Sequence, residues 1–246
     1  MKKHSYGRSK TMKILGICGT NKKNGKAASE WFLNESLAAA AALGAATESI
    51  RLIQYNLKPC TSCDLCFCGK DCPLFSDPED DGKELFDKVA GADGLIFSSP
   101  VYSYQQPACV INFIQRSRVF HERERGRLMG LRSLKMRDNP FSGKPVGNLA
   151  ISATIGNEGA LSGLLHNLRG LGAAPVICAG ISLMEPVIKE MYKTCDVEKI
   201  NRLFNGNVAS YTENQEAIDM ARSVGRYIYK TYYSEVFQKI KYHIKL

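Results

Sequence analysis

The chain has 246 residues, nine cysteines and a net charge of +9, a length that buries one large core. Its longest alanine-rich run, "SLAAAAALGAA", fits a buried helix face and is too short to span a membrane; "ILGIC", behind the basic start, is too short for the apolar core of an export signal. A cytoplasmic chain with reduced thiols is expected, which excludes a disulfide scaffold and turns clustered cysteines toward metal or redox chemistry.

In chain order, "KILGIC" (13–18) predicts a first strand and the pattern over 26–43, closed by Gly44, a helix. "TESIRLIQY" (47–55) reads as a second strand. A capping-box spacing in "SDPE" (76–79), with a proline suited to the first helical position, predicts a helix from about 78 to 90. "GLIFSS" (94–99) follows as a strand, then a helix carrying Cys109, then strands "PVGNLAIS" (145–152) and "APVICAG" (174–180). A second capping box, "TENQ" (212–215), opens a long final helix. Strands alternating with helices imply an α/β fold: a mostly parallel sheet covered on both faces. One domain is expected over 1–246, with a cysteine-rich loop at 56–76, a basic insertion at 116–143 and a C-terminal helical extension at 185–246.

Ligands of an open parallel sheet sit beyond the carboxyl ends of its strands, so the loops found there carry the first functional signals. After the first strand, Gly19 and Gly25 permit tight turns, Thr20, Asn21 and Lys22 offer donors, and a helix opens near Lys26; a phosphate cradle and an ordinary glycine- and lysine-rich turn both fit. The pattern is neither GxGxxG nor Walker A. "SSPVYSYQQPA" is stiffened by Pro100 and Pro107, and Tyr102 and Tyr104 supply surface for a flat heteroaromatic ring or simply pack. In "SATIGNEGALSG", small Thr154 and Asn157 with two glycines allow close backbone approach.

"CTSCDLCFCGKDCP" places five cysteines within thirteen positions, 60 to 72. Cys60, Cys63, Cys66 and Cys72 form CxxCxxCxxxxxC before Pro73, a spacing that favours a 4Fe–4S cluster; zinc, which more often pairs two CxxC units across a wider gap, and plain thiols are the alternatives. Cys68 is surplus: it can replace Cys66 or Cys72 as a ligand or stay free. Cys18, Cys109 and Cys178 read as small core residues.

The stretch 116–140 holds seven arginines and one lysine against three acids, which suits a solvated segment, a subunit contact or a docking surface for an acidic carrier or anionic substrate. It lacks aromatic interleaving and matches no common nucleic-acid module, so no nucleic-acid partner is expected. The tyrosine- and lysine-rich end predicts an amphipathic helix packed on the body or on a neighbouring subunit.

"KILGICGTNKKNGKA", "ADGLIFSSPVYSYQQPACVINFIQR" and "GKPVGNLAISATIGNEGAL" together resemble the NADPH-dependent FMN reductase group of flavodoxin-like proteins, and the cysteine run between them resembles its iron–sulfur flavoprotein branch. The resemblance covers residues 12 to about 180. It implies an open sheet of five parallel strands in the order 2-1-3-4-5, FMN at its carboxyl edge, and a dimer or tetramer. By position it makes Thr20, Lys22 and Gly25 phosphate-loop residues, Pro100, Val101, Tyr102 and Ser103 the wall beside the flavin ring, and Thr154, Gly156, Asn157 and Glu158 part of a third contact loop. The chain departs from the family at Lys26 and Ala27, where a small polar pair usually stands; a hydroxyl donor is lost and a cation gained.

The expected function is electron transfer from a reduced carrier such as ferredoxin through the cluster to FMN, with no side chain acting as acid or base. The alternatives are an NAD(P)H-dependent FMN or quinone reductase with structural or redox-sensing cysteines, and a non-catalytic redox or metal sensor.

Overall fold

The computed structural model describes residues 11–22, 27–120, 139–183 and 211–238. Five strands, β1 (Lys13–Cys18), β2 (Ala46–Arg51), β3 (Gly94–Pro100), β4 (Pro145–Ser152) and β5 (Ala174–Ser182), pair in the order β2-β1-β3-β4-β5. Every ladder is parallel, as the expected flavodoxin-like order requires. The helices are α1 (Ala28–Ala41), α2 (Gly82–Gly91), α3 (Ala108–Arg116), α4 (Asn157–Gly170) and α5 (Gln215–Tyr233).

Alternating side chains feed two apolar layers. Leu15, Ile17, Leu95 and Phe97 pack with α2, α3 and α4 around Phe86, Phe113 and Phe141. Ile14, Cys18, Ile96 and Leu149 face α1 and α5, among Phe32, Leu33, Val224 and Ile228. The two helices of that second layer touch at Gly225, where a Cβ would lie 1.8 Å from the Ser36 carbonyl oxygen, and the Ser36 hydroxyl donates to the Ala221 carbonyl at 2.6 Å. The C-terminal helix therefore packs on the body of this chain.

Three expected boundaries move. The second strand stops at Arg51, opposite the last residue of β1, and Leu52–Gln54 form a 3-10 turn; beyond Cys18 there is no ladder to pair with. The helix expected from 78 begins at Gly82, because "SDPE" closes a turn instead: the Asp80 N–H donates to the Asp77 carbonyl at 3.1 Å, with Pro78 suited to the second turn position, and the Asp77 side chain accepts the Glu79 N–H at 2.9 Å. The final helix is capped by Asn214, whose side chain accepts the Ala217 N–H at 3.1 Å, rather than by Thr212. Within the span expected for the basic insertion, Arg116 ends α3 with its side chain 1% exposed, and Phe141, near the other end, is core. The stretch 121–138, with most of that segment's charge, lies outside the described residues, as does 184–210 of the extension.

Candidate functional site

The first loop leaves β1 through a gap that only glycine fits: a Cβ at Gly19 would lie 2.3 Å from Val110 Cγ2 and 2.9 Å from Ser99 Cβ. Its N–H donates to the Ser98 carbonyl at 2.8 Å. Thr20 is buried, and its Oγ1 accepts the Lys22 N–H at 3.2 Å, while Asn21 and Lys22 are exposed. Gly25 and Lys26 lie outside the described residues. The cap of α1, Ala27, makes no side-chain hydrogen bond, so no capping side chain occupies the first-turn N–H groups that suit an anion.

After β3, the Val101 N–H donates to the Ile151 carbonyl at 2.9 Å, and Tyr102 and Gln105 exchange backbone hydrogen bonds of 3.0 and 2.9 Å. The turn between them has φ of +48° at Ser103 and +64° at Tyr104, a type I′ geometry made without glycine. The third loop holds this tip: a Cβ at Gly159 would lie 2.6 Å from the Tyr104 carbonyl oxygen, and one at Gly156 3.0 Å from its ring. Gln106, buried, takes the Ser99 hydroxyl and donates to the Ala160 carbonyl. Pro100, Thr154 and Glu158 lie along the same edge. Asn157 Oδ1 and Ser152 Oγ are buried there without hydrogen-bond partners among the described residues, while Tyr102, Tyr104 and Ile155 stay exposed. The described residues of the three expected loops thus meet at one edge of the sheet, with glycine-shaped gaps, side-chain-free helix starts and two orphaned polar atoms. These features fit a phosphate-bearing aromatic ligand such as FMN.

The cysteine loop forms a second site. Ser62, Asp64 and Gly69 adopt positive φ, and the Phe67, Cys68 and Lys70 N–H groups turn back to the carbonyls of Asp64 and Leu65. That curl leaves Cys60, Cys63, Cys66 and Cys72 lining one small cavity of about 20 Å³, with Arg116, Arg118, Leu74 and Val119. Cys68 is exposed and does not line it. Among the described residues no group of three or more His, Cys, Asp or Glu side chains is placed to hold a metal ion. Burial pushes the Cys66 thiol up, partly offset by the charge of Arg118, which pairs with Asp64 at 2.5 Å.

Helix α3 joins the two sites. At its start the Cys109 thiol lies 3.3 Å from the Gly19 carbonyl and 3.6 Å from Asn21 Oδ1, and burial pushes that thiol up, which keeps it a donor. One turn on, Asn112 donates to the Leu57 carbonyl. At its end Arg116 donates to the Lys58 carbonyl at 2.8 Å and to both oxygens of buried Asp80, at 2.6 and 2.9 Å. Burial pushes Asp80 up, but Arg116 and the N–H groups of Lys58 and Gly82 outweigh it and hold the carboxyl below its usual range. With a rise of about 1.5 Å per residue, Cys109 and Arg116 stand roughly 10 Å apart along the axis.

The model of the NADPH-dependent FMN reductase family matches residues 12–183. The chain belongs to this family. Proteins named iron–sulfur flavoprotein are similar to it: one from Methanocaldococcus jannaschii is 36% identical over 44% of this chain and 52% of its own length. One from Methanosarcina thermophila is 30% identical over 43% and 52%, and one from Archaeoglobus fulgidus 27% over 67% and 66%. The chain spans about half the length of the first two. Among solved structures, a flavone reductase superposes with a TM-score of 0.58 at 17% identity over 91% of this chain and 65% of that one. An NAD(P)H:quinone oxidoreductase from Methanothermobacter marburgensis gives 0.54 at 15% over 88% and 96%. At these identities the structures share the fold. The family match ends before α5.

One expectation about cysteines is corrected and one extended. Cys178 is exposed on edge strand β5, whereas Cys109, half-buried and packed against the core, also contacts the first loop. Arg116, Asp80 and Asn112 were not legible as site residues: Arg116 stood at the head of a run of arginines, and Asp80 within an acidic turn. The signal for Arg116 was its place three residues after Phe113 and six after Val110 on an apolar helix face.

Proposed function

We propose that this FMN reductase family member is a flavin-dependent oxidoreductase of the iron–sulfur flavoprotein kind. It binds FMN at the three-loop edge and a 4Fe–4S cluster on Cys60, Cys63, Cys66 and Cys72, and passes electrons from a reduced ferredoxin-like carrier to an acceptor. The observation that carries this reading is the shared cavity of those four cysteines, at the far end of the helix whose first turn supports the first loop. FMN supplies one- and two-electron chemistry when bound, and a cluster supplies one-electron chemistry.

The chain's own residues do the positioning. The backbone at Gly19 and Thr20 and the first turn of α1 hold the terminal phosphate; Pro100 to Ser103 form a stiff wall for the ring; Asn157 and Ser152 offer polar atoms to its edge. Helix α3 fixes the spacing of the two sites through Cys109, Asn112 and Arg116. A homodimer or tetramer would cover exposed Tyr102, Tyr104 and Ile155.

A second reading is an NAD(P)H-dependent FMN or quinone reductase, favoured by the exposure of Tyr102 and Tyr104 beside an open ring face. Anaerobic stopped-flow reduction separates the two. Rapid bleaching by reduced ferredoxin and none by NADPH supports electron relay; rapid bleaching by NADPH in the Cys60→Ser and Cys63→Ser variants, at the parent's rate, contradicts it.

A further inference from the structure

Arg116 lines the four-cysteine cavity. Its guanidinium is almost fully enclosed, and its hydrogen bonds run in one direction: Nη1 and Nη2 to Asp80, and Nη1 to the Lys58 carbonyl. The Phe75 ring lies 5.7 Å from its central carbon. Nε is buried and has no hydrogen-bond partner among the described residues. A guanidinium presents five N–H donors and cannot deprotonate to relieve an unpaired one, so an orphaned buried Nε–H beside a cavity is costly unless the cavity's occupant accepts it. Cys60, Cys63, Cys66 and Cys72 line the same cavity, so sulfur is the acceptor chemistry it offers.

Resting on the function proposed above, we propose that Arg116 tunes the reduction potential of the group held by the four cysteines, donating its Nε–H toward their sulfur, with Asp80 setting how much of the guanidinium charge is felt. Donors to sulfur and nearby positive charge favour the reduced, more negative state and raise the potential. One electron arrives from the reduced carrier, which is oxidised; the group gains one negative charge, and no proton need move. Arg116 meets that charge with a donor already in place. Asp80 works against it, since its carboxylate neutralises the same guanidinium. Arg116 is thus a positioning and tuning residue, and its pair with Asp80 makes two substitutions pull the potential in opposite directions.

The test is an anaerobic, EPR-monitored redox titration of the iron-loaded full-length protein, its Asp80→Asn variant and the double variant Asp80→Asn/Arg116→Gln, which removes both charges so that neither is left buried alone. Asp80→Asn should raise the potential and the double variant should lower it below the parent's. Each shift is expected to reach about tenfold in the one-electron equilibrium, roughly 59 mV. FMN content should be unchanged in both, reporting an intact fold. Shifts of the same sign, parent-like potentials in both, or loss of iron from both with FMN retained would overturn the proposal, the last by making the pair merely structural. Iron absent from the parent itself would overturn the function and this inference together; iron present with unmoved potentials would overturn this inference alone.

Discussion

Gly19 shows how one atom's room decides a site. A methyl group there would press on Val110 and Ser99, so Gly19→Ala should destabilise the fold by about 1–3 kcal/mol and weaken FMN retention, measured by thermal melts and by flavin released on dialysis. Thr20 and Lys22 act together, since the Thr20 hydroxyl ties the Lys22 N–H. The double change to alanine should weaken FMN binding, each charge-assisted contact contributing about 1.5–3 kcal/mol; unchanged affinity by fluorescence titration would refute the phosphate role. Cys18 carries a pH signature. Burial pushes its thiol from 9.0 up to about 11, so the folded state holds the proton more tightly than the unfolded one. That contribution to stability is complete below pH 9 and is lost as pH rises from 9 to 11. Cys18→Ala should flatten the fall in denaturation midpoint across that window. The glycines and the cysteine spacing were legible in the sequence because each answers a local demand, of backbone room or of ligand geometry. Cys109 was not, because its thiol finds its partner in a loop that only the fold brings near.

Helices α1 and α5 press together at Gly225 as closely as backbone allows. Gly225→Val should push them apart and destabilise the protein by several kcal/mol, beyond the usual cost of about 1–3 for an overpacked core, with a matching drop in melting temperature. The strands were readable because buried parallel strands leave continuous apolar runs. Element ends were less so: in "SDPE" the aspartate that suits a helix cap also suits a turn, and the bonds of the Asp80 and Glu79 N–H groups to Asp77, with Lys58 paired to Asp77 and Glu79, show which demand prevails. The long arginine run likewise hid a division of labour, since Arg116 serves α3 and Arg118 serves the cysteine loop.

The molecule sets the three-loop edge, where FMN is proposed to bind, and the four-cysteine cavity at opposite ends of one short helix, in a chain whose net charge is +9. An acidic carrier should therefore be drawn in by long-range attraction, and its rate of reducing the protein should fall as salt shortens the Debye length to about 8 Å at physiological strength; a rate indifferent to salt argues for a neutral contact. That the chain has a flavodoxin-like fold was readable from the order of strands and loops, whereas the link through α3 was not, because it depends on Asn112 and Arg116 reaching backbone of a loop 55 and 58 residues earlier. The account stands or falls on what the four cysteines hold. Iron, acid-labile sulfide, zinc and flavin measured on one anaerobically prepared sample should give about four iron and four sulfide for each FMN, with the same values in Cys68→Ser and iron lost from Cys60→Ser, Cys63→Ser, Cys66→Ser and Cys72→Ser while FMN stays bound. One equivalent of zinc with no iron, or iron that depends on Cys68 and not on Cys66 or Cys72, would contradict it.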